Sequence, residues 1–317
     1  MNNYGVGVIM KKLVGISICS LQEKYGDRRA LEIVSETGAD SADFSLEFNC
    51  NDYRNKDSVY AKGDEAVREY YSDLKAYADS LGIIIGQTHG KLPGFKNIKE
   101  EDDALVENSR LDCIATAALG APVCVIHNAT SIFLGPDPDP ELMHKLSFDM
   151  FSRIIPYAKE NGVKIATETF GDAVRFSACD FFGNMSEFEK AYARIKAVDE
   201  LKDWFTVCVD TGHSNKAMRY GNPKPADVIR KMGSEVTVLH LNDNDTFTDQ
   251  HKIPMTGTID WKDVFDALDE IGYSGIYNME LALRHFGKDF QIETAEFAVK
   301  LMRYILKERY GEQALTR

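Results

Sequence analysis

A single (β/α)₈ barrel, an α/β fold running from residue 10 to residue 317, is the architecture the sequence predicts. Three observations predict it: eight short apolar runs rich in β-branched residues, amphipathic stretches between them, and glycines at the joints. The runs cover 13–18, 41–46, 83–87, 123–127, 164–168, 206–210, 236–241 and 276–280. Runs of this length bounded by turn residues read as strands, and intervals of roughly 30–45 residues leave room for one helix each. The stretches 64–81, 101–119, 140–160, 186–199 and 261–271 carry the helical pattern. Gly38, Gly82, Gly120, Gly162 and Gly272 close helical stretches just before a strand, where a left-handed residue ends a helix at no Cβ cost. No G-x-G-x-x-G follows the first run, so an open dinucleotide-binding sheet loses its main support. Nothing reads as a linker or a second domain, and residues 1–9, ahead of Met10-Lys11-Lys12, are expected to be an N-terminal extension.

Composition narrows the function classes. The net charge of -13 and pI near 5.1 oppose a broad phosphate-gripping surface, so no nucleic-acid partner is expected. Six cysteines lack C-x-x-C spacing and read as reduced, buried thiols. No apolar run approaches the ~18 residues of a membrane span, and the run at 13–19 lacks a small-residue cleavage site. A cytoplasmic protein without a membrane partner is expected.

The C-terminal ends of barrel strands form the face where chemistry collects. Strand three ends on His89, strand four on His127, strand five on Glu168 and strand six on Asp210 with His213 beyond it. Strand seven ends on His240, strand eight on Glu280, and the loop after strand seven adds Asp249 and His251. Five of the seven histidines fall at these places. So many charges on one face would repel one another and resist desolvation, which a divalent cation relieves. The hard, oxygen-rich set Glu168, Asp210, His240 and Glu280 favours Mn²⁺, Mg²⁺ or Co²⁺, while the extra histidines leave Zn²⁺ open. Lys91, Arg175, Lys216 and Arg219 follow strand ends and are candidates to hold a phosphate or carboxylate, Lys216 and Arg219 first. Phe48, Phe95, Phe133 and Phe170 on the loops are candidates to stack on a substrate.

The phrases T-E-T, V-D-T-G-H, L-H-L-N-D, H-K-I-P-M-T-G-T-I-D-W and N-M-E-L resemble the xylose-isomerase-like TIM barrels, which include D-tagatose 3-epimerase. Their Ile259-Asp260-Trp261 also makes local sense, with Asp260 as N-cap of the following helix. The resemblance implies a metal held by Glu168, Asp210, His240 and Glu280. Glu168 and Glu280 would be the proton-transfer residues of an isomerase or epimerase acting on a small sugar, sugar phosphate or polyol. His213 would contact substrate, with His89, His127 and Lys216 as further substrate-binding candidates. Relatives often pair, so a homo-oligomer is open. Apurinic endonucleases in the same superfamily hold three zinc ions on nine ligands. Each has a match here: His89, His127, Glu168, Asp210, His213, His240, Asp249, His251 and Glu280. His213, Asp249 and His251 are therefore candidates for an additional metal. A zinc phosphodiesterase and a cyclic polyol (inosose-type) dehydratase stand as alternatives.

Overall fold

The structure, a computed structural model, describes residues 11–47 and 51–315; the expected extension and Phe48 lie outside the described residues. Eight parallel strands form one ring: β1 (Val14–Ser17), β2 (Ser41–Ser45), β3 (Ile84–His89), β4 (Val123–Ile126), β5 (Lys164–Glu168), β6 (Phe205–Asp210), β7 (Val236–His240) and β8 (Tyr277–Met279). Each strand pairs with its sequence neighbour, and β8 returns to β1 through Val14–Tyr277, Gly15–Asn278 and Ile16–Met279. Between β7 and β8 the ring closes at a single bridge, Leu241 with Met279. The (β/α)₈ barrel expected from the apolar runs is therefore the fold.

Helices cover the outside: α1 (Cys19–Tyr25), α2 (Asp27–Thr37), α3 (Asp64–Ser80), α4 (Lys99–Ala118), α5 (Pro140–Glu160), α6 (Met185–Lys196), α7 (Thr211–Ala217), α8 (Pro225–Met232), α9 (Trp261–Glu270) and α10 (Gln291–Tyr310). The five joint glycines all adopt φ between 68° and 79°, the left-handed conformation expected of them. Asp260 caps α9 by accepting from the Asp263 amide. A short hairpin, Asp172–Ala173 with Ala178–Cys179, interrupts the connection from β5 to α6 and has no counterpart in the apolar pattern.

Strand alternation decides what the barrel holds. Outward residues such as Val14, Ile16, Phe44, Ile165, Val207, Val209, Leu239 and Met279 join the helices in the main core, each fully buried or nearly so. Burial of such side chains stabilises by about 1.5–3 kcal/mol apiece. Inward, Val123, Val125, Ala166, Cys208 and Val238 form a separate small cluster. Two residues further along each of these strands the next inward position is polar: His127, Glu168, Asp210 and His240. The site thus rests on an apolar floor built by the same strands.

Candidate metal centre

The inward row at the C-terminal rim is polar all the way round: Glu47, His89, His127, Glu168, Asp210, His240 and Glu280 follow β2 to β8, and Cys19 continues β1. Glu168, Asp210 and His240 are almost completely buried, and the Glu280 side chain retains 23% exposure. Ligand atoms of Glu168, Asp210, His240 and Glu280 all lie within 4.8 Å of one another. His240 Nδ1 is 3.1 Å from Glu168 Oε2 and 3.3 Å from Glu280 Oε2.

Two more groups flank this one. His89 Nε2 lies 3.2 Å from His127 Nε2, and these nitrogens are 3.5 and 3.1 Å from Glu168 Oε2, so Glu168 belongs to both groups. On the other side, Asp249 Oδ2 lies 3.4 Å from His213 Nε2 and 3.3 Å from His251 Nε2. His213 Nδ1 faces Glu168 Oε1 at 3.0 Å. All nine positions drawn from the sequence converge on one mouth.

Supporting residues orient these groups. Asp43, in the middle of β2, accepts hydrogen bonds at Oδ2 from His240 Nε2 (3.1 Å), Gln87 (3.1 Å) and Asn278 (3.0 Å). That contact places the proton on Nε2 and leaves Nδ1 as a lone-pair donor toward the carboxylates. Asp210 caps α7 through the His213 amide (2.6 Å) and accepts from Asn242 (2.8 Å). Asp43 stands inside its strand rather than at its end, so the pattern of polar strand ends does not mark it.

The loop that brings Asp249 and His251 is tied by Asp243. Its Oδ1 accepts from the amides of Asn244, Thr258 and Ile259, and its Oδ2 from the Trp261 indole at 2.7 Å. A Cβ on Gly257 would sit 2.2 Å from Asp243 Oδ1 and 2.4 Å from the Asn244 carbonyl. This close approach explains the N-D…G-T-I-D-W phrase. Gly257→Ala is expected to cost about 1–3 kcal/mol through overpacking, read as a lower urea midpoint with an unchanged slope; an unshifted midpoint would show that the loop relaxes freely.

Electrostatics follow from the crowding. Burial alone would raise the Glu168 carboxyl, but His240 and His127 outweigh it and hold it well below the usual range. Burial pushes Glu280 up, aided by Glu168 and Asp210 and opposed by His240 and His251. Burial pulls His127 down. A divalent ion fits this donor set: Glu168 Oε1 and His240 Nδ1 are buried and make no hydrogen bond.

The remaining sequence candidates separate. Lys216 is buried (2% exposed) with its Nζ 2.5 Å from Asp172 and 3.8 Å from Asp249, so its charge is engaged inside the wall. Lys91 is buried, Arg175 is exposed, and Arg219 lies over the Phe247 ring at 4.2 Å. Phe170 stacks on His213 (centroids 6.3 Å, 8°) and meets His127 edge-on at 5.2 Å, at the site itself. Phe95 is 1% exposed and belongs to the core, and Phe133 packs under Lys96. Among the described residues, no helix is long and apolar enough to cross a membrane.

Comparison with known proteins bears on the fold and the family. The inosose isomerase of Bacillus subtilis is 28% identical over 167 residues, 50% of this chain and 53% of that protein. An uncharacterized protein of Sinorhizobium fredii is 27% identical over 171 residues, 54% of this chain and 50% of that protein. The chain thus spans about half the length of these curated relatives. Among solved structures, a D-tagatose 3-epimerase-like protein superposes with a TM-score of 0.68 at 20% identity, covering 94% of this chain and 99% of the other. The IolI protein with a bound zinc atom gives 0.66 at 18% identity, covering 96% and 100%. At such identities the likeness is one of fold. The model of the xylose isomerase-like TIM barrel family matches residues 31–305, and the chain belongs to that family.

Proposed function

We propose that the protein is a metal-dependent isomerase or epimerase of a small sugar or polyol that moves a proton beside a carbonyl through a cis-enediol. The observation that carries this reading is the meeting of two glutamates from different strands, Glu168 and Glu280, at His240 Nδ1. A divalent cation held by Glu168, Asp210, His240 and Glu280 would supply Lewis acidity toward a carbonyl and its neighbouring hydroxyl. Of the two glutamates, one removes the carbon-bound proton and the same residue or its partner returns it. Return to the other face of the same carbon inverts it; return to the neighbouring carbon isomerises. His213, held at Nδ1 by the Thr169 carbonyl (3.0 Å), orients a substrate hydroxyl. Phe170 shields the reacting carbon from water. The imidazole-rich surroundings favour Co²⁺, Mn²⁺ or Zn²⁺ over Mg²⁺.

The test is turnover of unphosphorylated and phosphorylated ketoses and of inosose in deuterated water, after loading with each metal in turn. Deuterium in the product at the carbon beside the carbonyl is expected. Product formed without deuterium, across substrates and metals, would remove the enediol scheme. Loss of water from inosose would instead identify the dehydratase.

A second reading, a zinc phosphodiesterase, is favoured by one observation: nine ligand residues fall into overlapping groups around the mouth, with His89–His127–Glu168 and Glu168–Asp210–His240–Glu280 sharing Glu168 and His213–Asp249–His251 beside them. Elemental analysis separates the two readings. One or two ions per chain are expected for the sugar enzyme, whereas three tightly held zinc ions with cleavage of an abasic-site phosphodiester would move the assignment.

A further inference from the structure

Six members of the polar ring at the barrel mouth serve the metal groups; the two that remain, Cys19 after β1 and Glu47 after β2, are bonded to each other. The Cys19 thiol donates to Glu47 Oε1 at 2.8 Å. The other oxygen, Oε2, points toward His89, 3.9 Å from its Nδ1 and beyond hydrogen-bonding reach. The Ser45 side chain also bonds to the Glu47 carboxylate, no hydrogen bond to Oε2 itself is seen among the described residues, and the Glu47 side chain keeps 24% of its surface open.

A carboxylate with one oxygen fixed and the other free at the edge of a concave site is pre-organised to accept from a ligand. We infer that Glu47 binds the substrate directly, its Oε2 accepting a hydrogen bond from a hydroxyl, and that the end of the substrate reaching the β1–β2 wall is a neutral polyol rather than a phosphate. This rests on the sugar reading proposed above and adds to it the charge of the substrate at that wall.

The surrounding charges point the same way. Glu47 shares the mouth with Glu280 and Asp249, which would repel a phosphate group. The basic side chains of the neighbouring loops are engaged: Arg54 with Asp52 and Glu101, and Lys96 with Glu101. Lys216, across the mouth, is bound to Asp172. Lys252 lines a cavity of about 410 Å³ with His251, Phe286 and Phe297, on the β7–β8 side of the mouth.

The experiment is equilibrium titration of the metal-loaded protein with D-fructose, D-fructose 1-phosphate and D-fructose 6-phosphate. Wild type, Glu47→Gln, Glu47→Ala and Cys19→Ala are compared. For D-fructose, Glu47→Ala should weaken binding about tenfold or more, the scale of a hydrogen bond to a charged group. Cys19→Ala should do so by less, and metal content should stay unchanged in every variant. At least one phosphate should bind wild type about tenfold more weakly than D-fructose, and Glu47→Gln should narrow that gap. With a turned-over substrate, Glu47→Ala should raise KM more than it lowers kcat. Unaltered D-fructose affinity in Glu47→Ala, or both phosphates binding wild type as tightly as the neutral sugar, would overturn the inference while leaving the sugar reading intact. Failure of all three sugars to bind any metal form would remove both.

Discussion

Glu168→Gln should yield a folded barrel whose turnover is reduced by about a thousandfold or more, the range that loss of a positioned acid–base group produces. Glu168 is the carboxylate on which the mouth converges: His127, His213 and His240 approach it within 3.1 Å and His89 within 3.5 Å. An amide has similar volume but cannot take up the substrate proton, and its NH₂ would meet imidazole nitrogens. Because Glu168 is shared between ligand groups, metal retention should fall with activity. Stability should fall as well in the metal-free state. There the Glu168 carboxylate is held by His240 and His127, which keep it ionised despite its burial, and an amide forfeits that attraction. The metal-free variant should therefore melt below metal-free wild type, and the rise in melting temperature on adding metal should shrink. Turnover near the wild-type level would sink the proton-transfer scheme.

The second large effect is expected deeper in the barrel, four residues before Glu47. Asp43→Ala should weaken metal binding by about 10–100-fold, the usual consequence of removing the carboxylate behind a metal-binding histidine. Without Asp43, the His240 ring loses the contact that holds its proton on Nε2, and the Gln87 and Asn278 amides lose their shared acceptor. Asp43→Asn keeps an oxygen there without the charge and should lie at the mild end. Competition with a chelator of known affinity measures both. An unchanged affinity in Asp43→Ala would reduce Asp43 to a structural plug between β2, β3, β7 and β8.

Much of the ring was legible because polar residues at the end of apolar runs are costly and therefore conspicuous. His89, His127, Glu168, Asp210, His240 and Glu280 each stand at such an end, and parallel strands in one barrel bring those ends together. Other features lacked that contrast. Asp43 lies inside S-A-D-F-S, a strand whose inward side is polar throughout, so nothing marks it off from its serine neighbours. Glu47 and Cys19 lie past their strands, where polar residues are ordinary. Lys216 follows His213 by three and reads as a mouth residue, yet the hairpin at 172–179 supplies Asp172 to bury it. That hairpin has two residues per strand, too few to print a period. Phe95, like Phe170, reads as a loop aromatic, and only packing separates a core residue from one against the histidines.

The closure of the ring would set how the barrel responds to a cation bound at this mouth. β7 and β8 meet through one bridge, with Leu241 donating to the Asn278 carbonyl and Glu280 donating to the Leu241 carbonyl. His240 and Glu280 stand on the two banks of this thin join, one at the end of β7 and the other just past β8. A cation gripped by both would be a rivet across the least laced part of the barrel wall, and loading the centre would then also lock the cylinder.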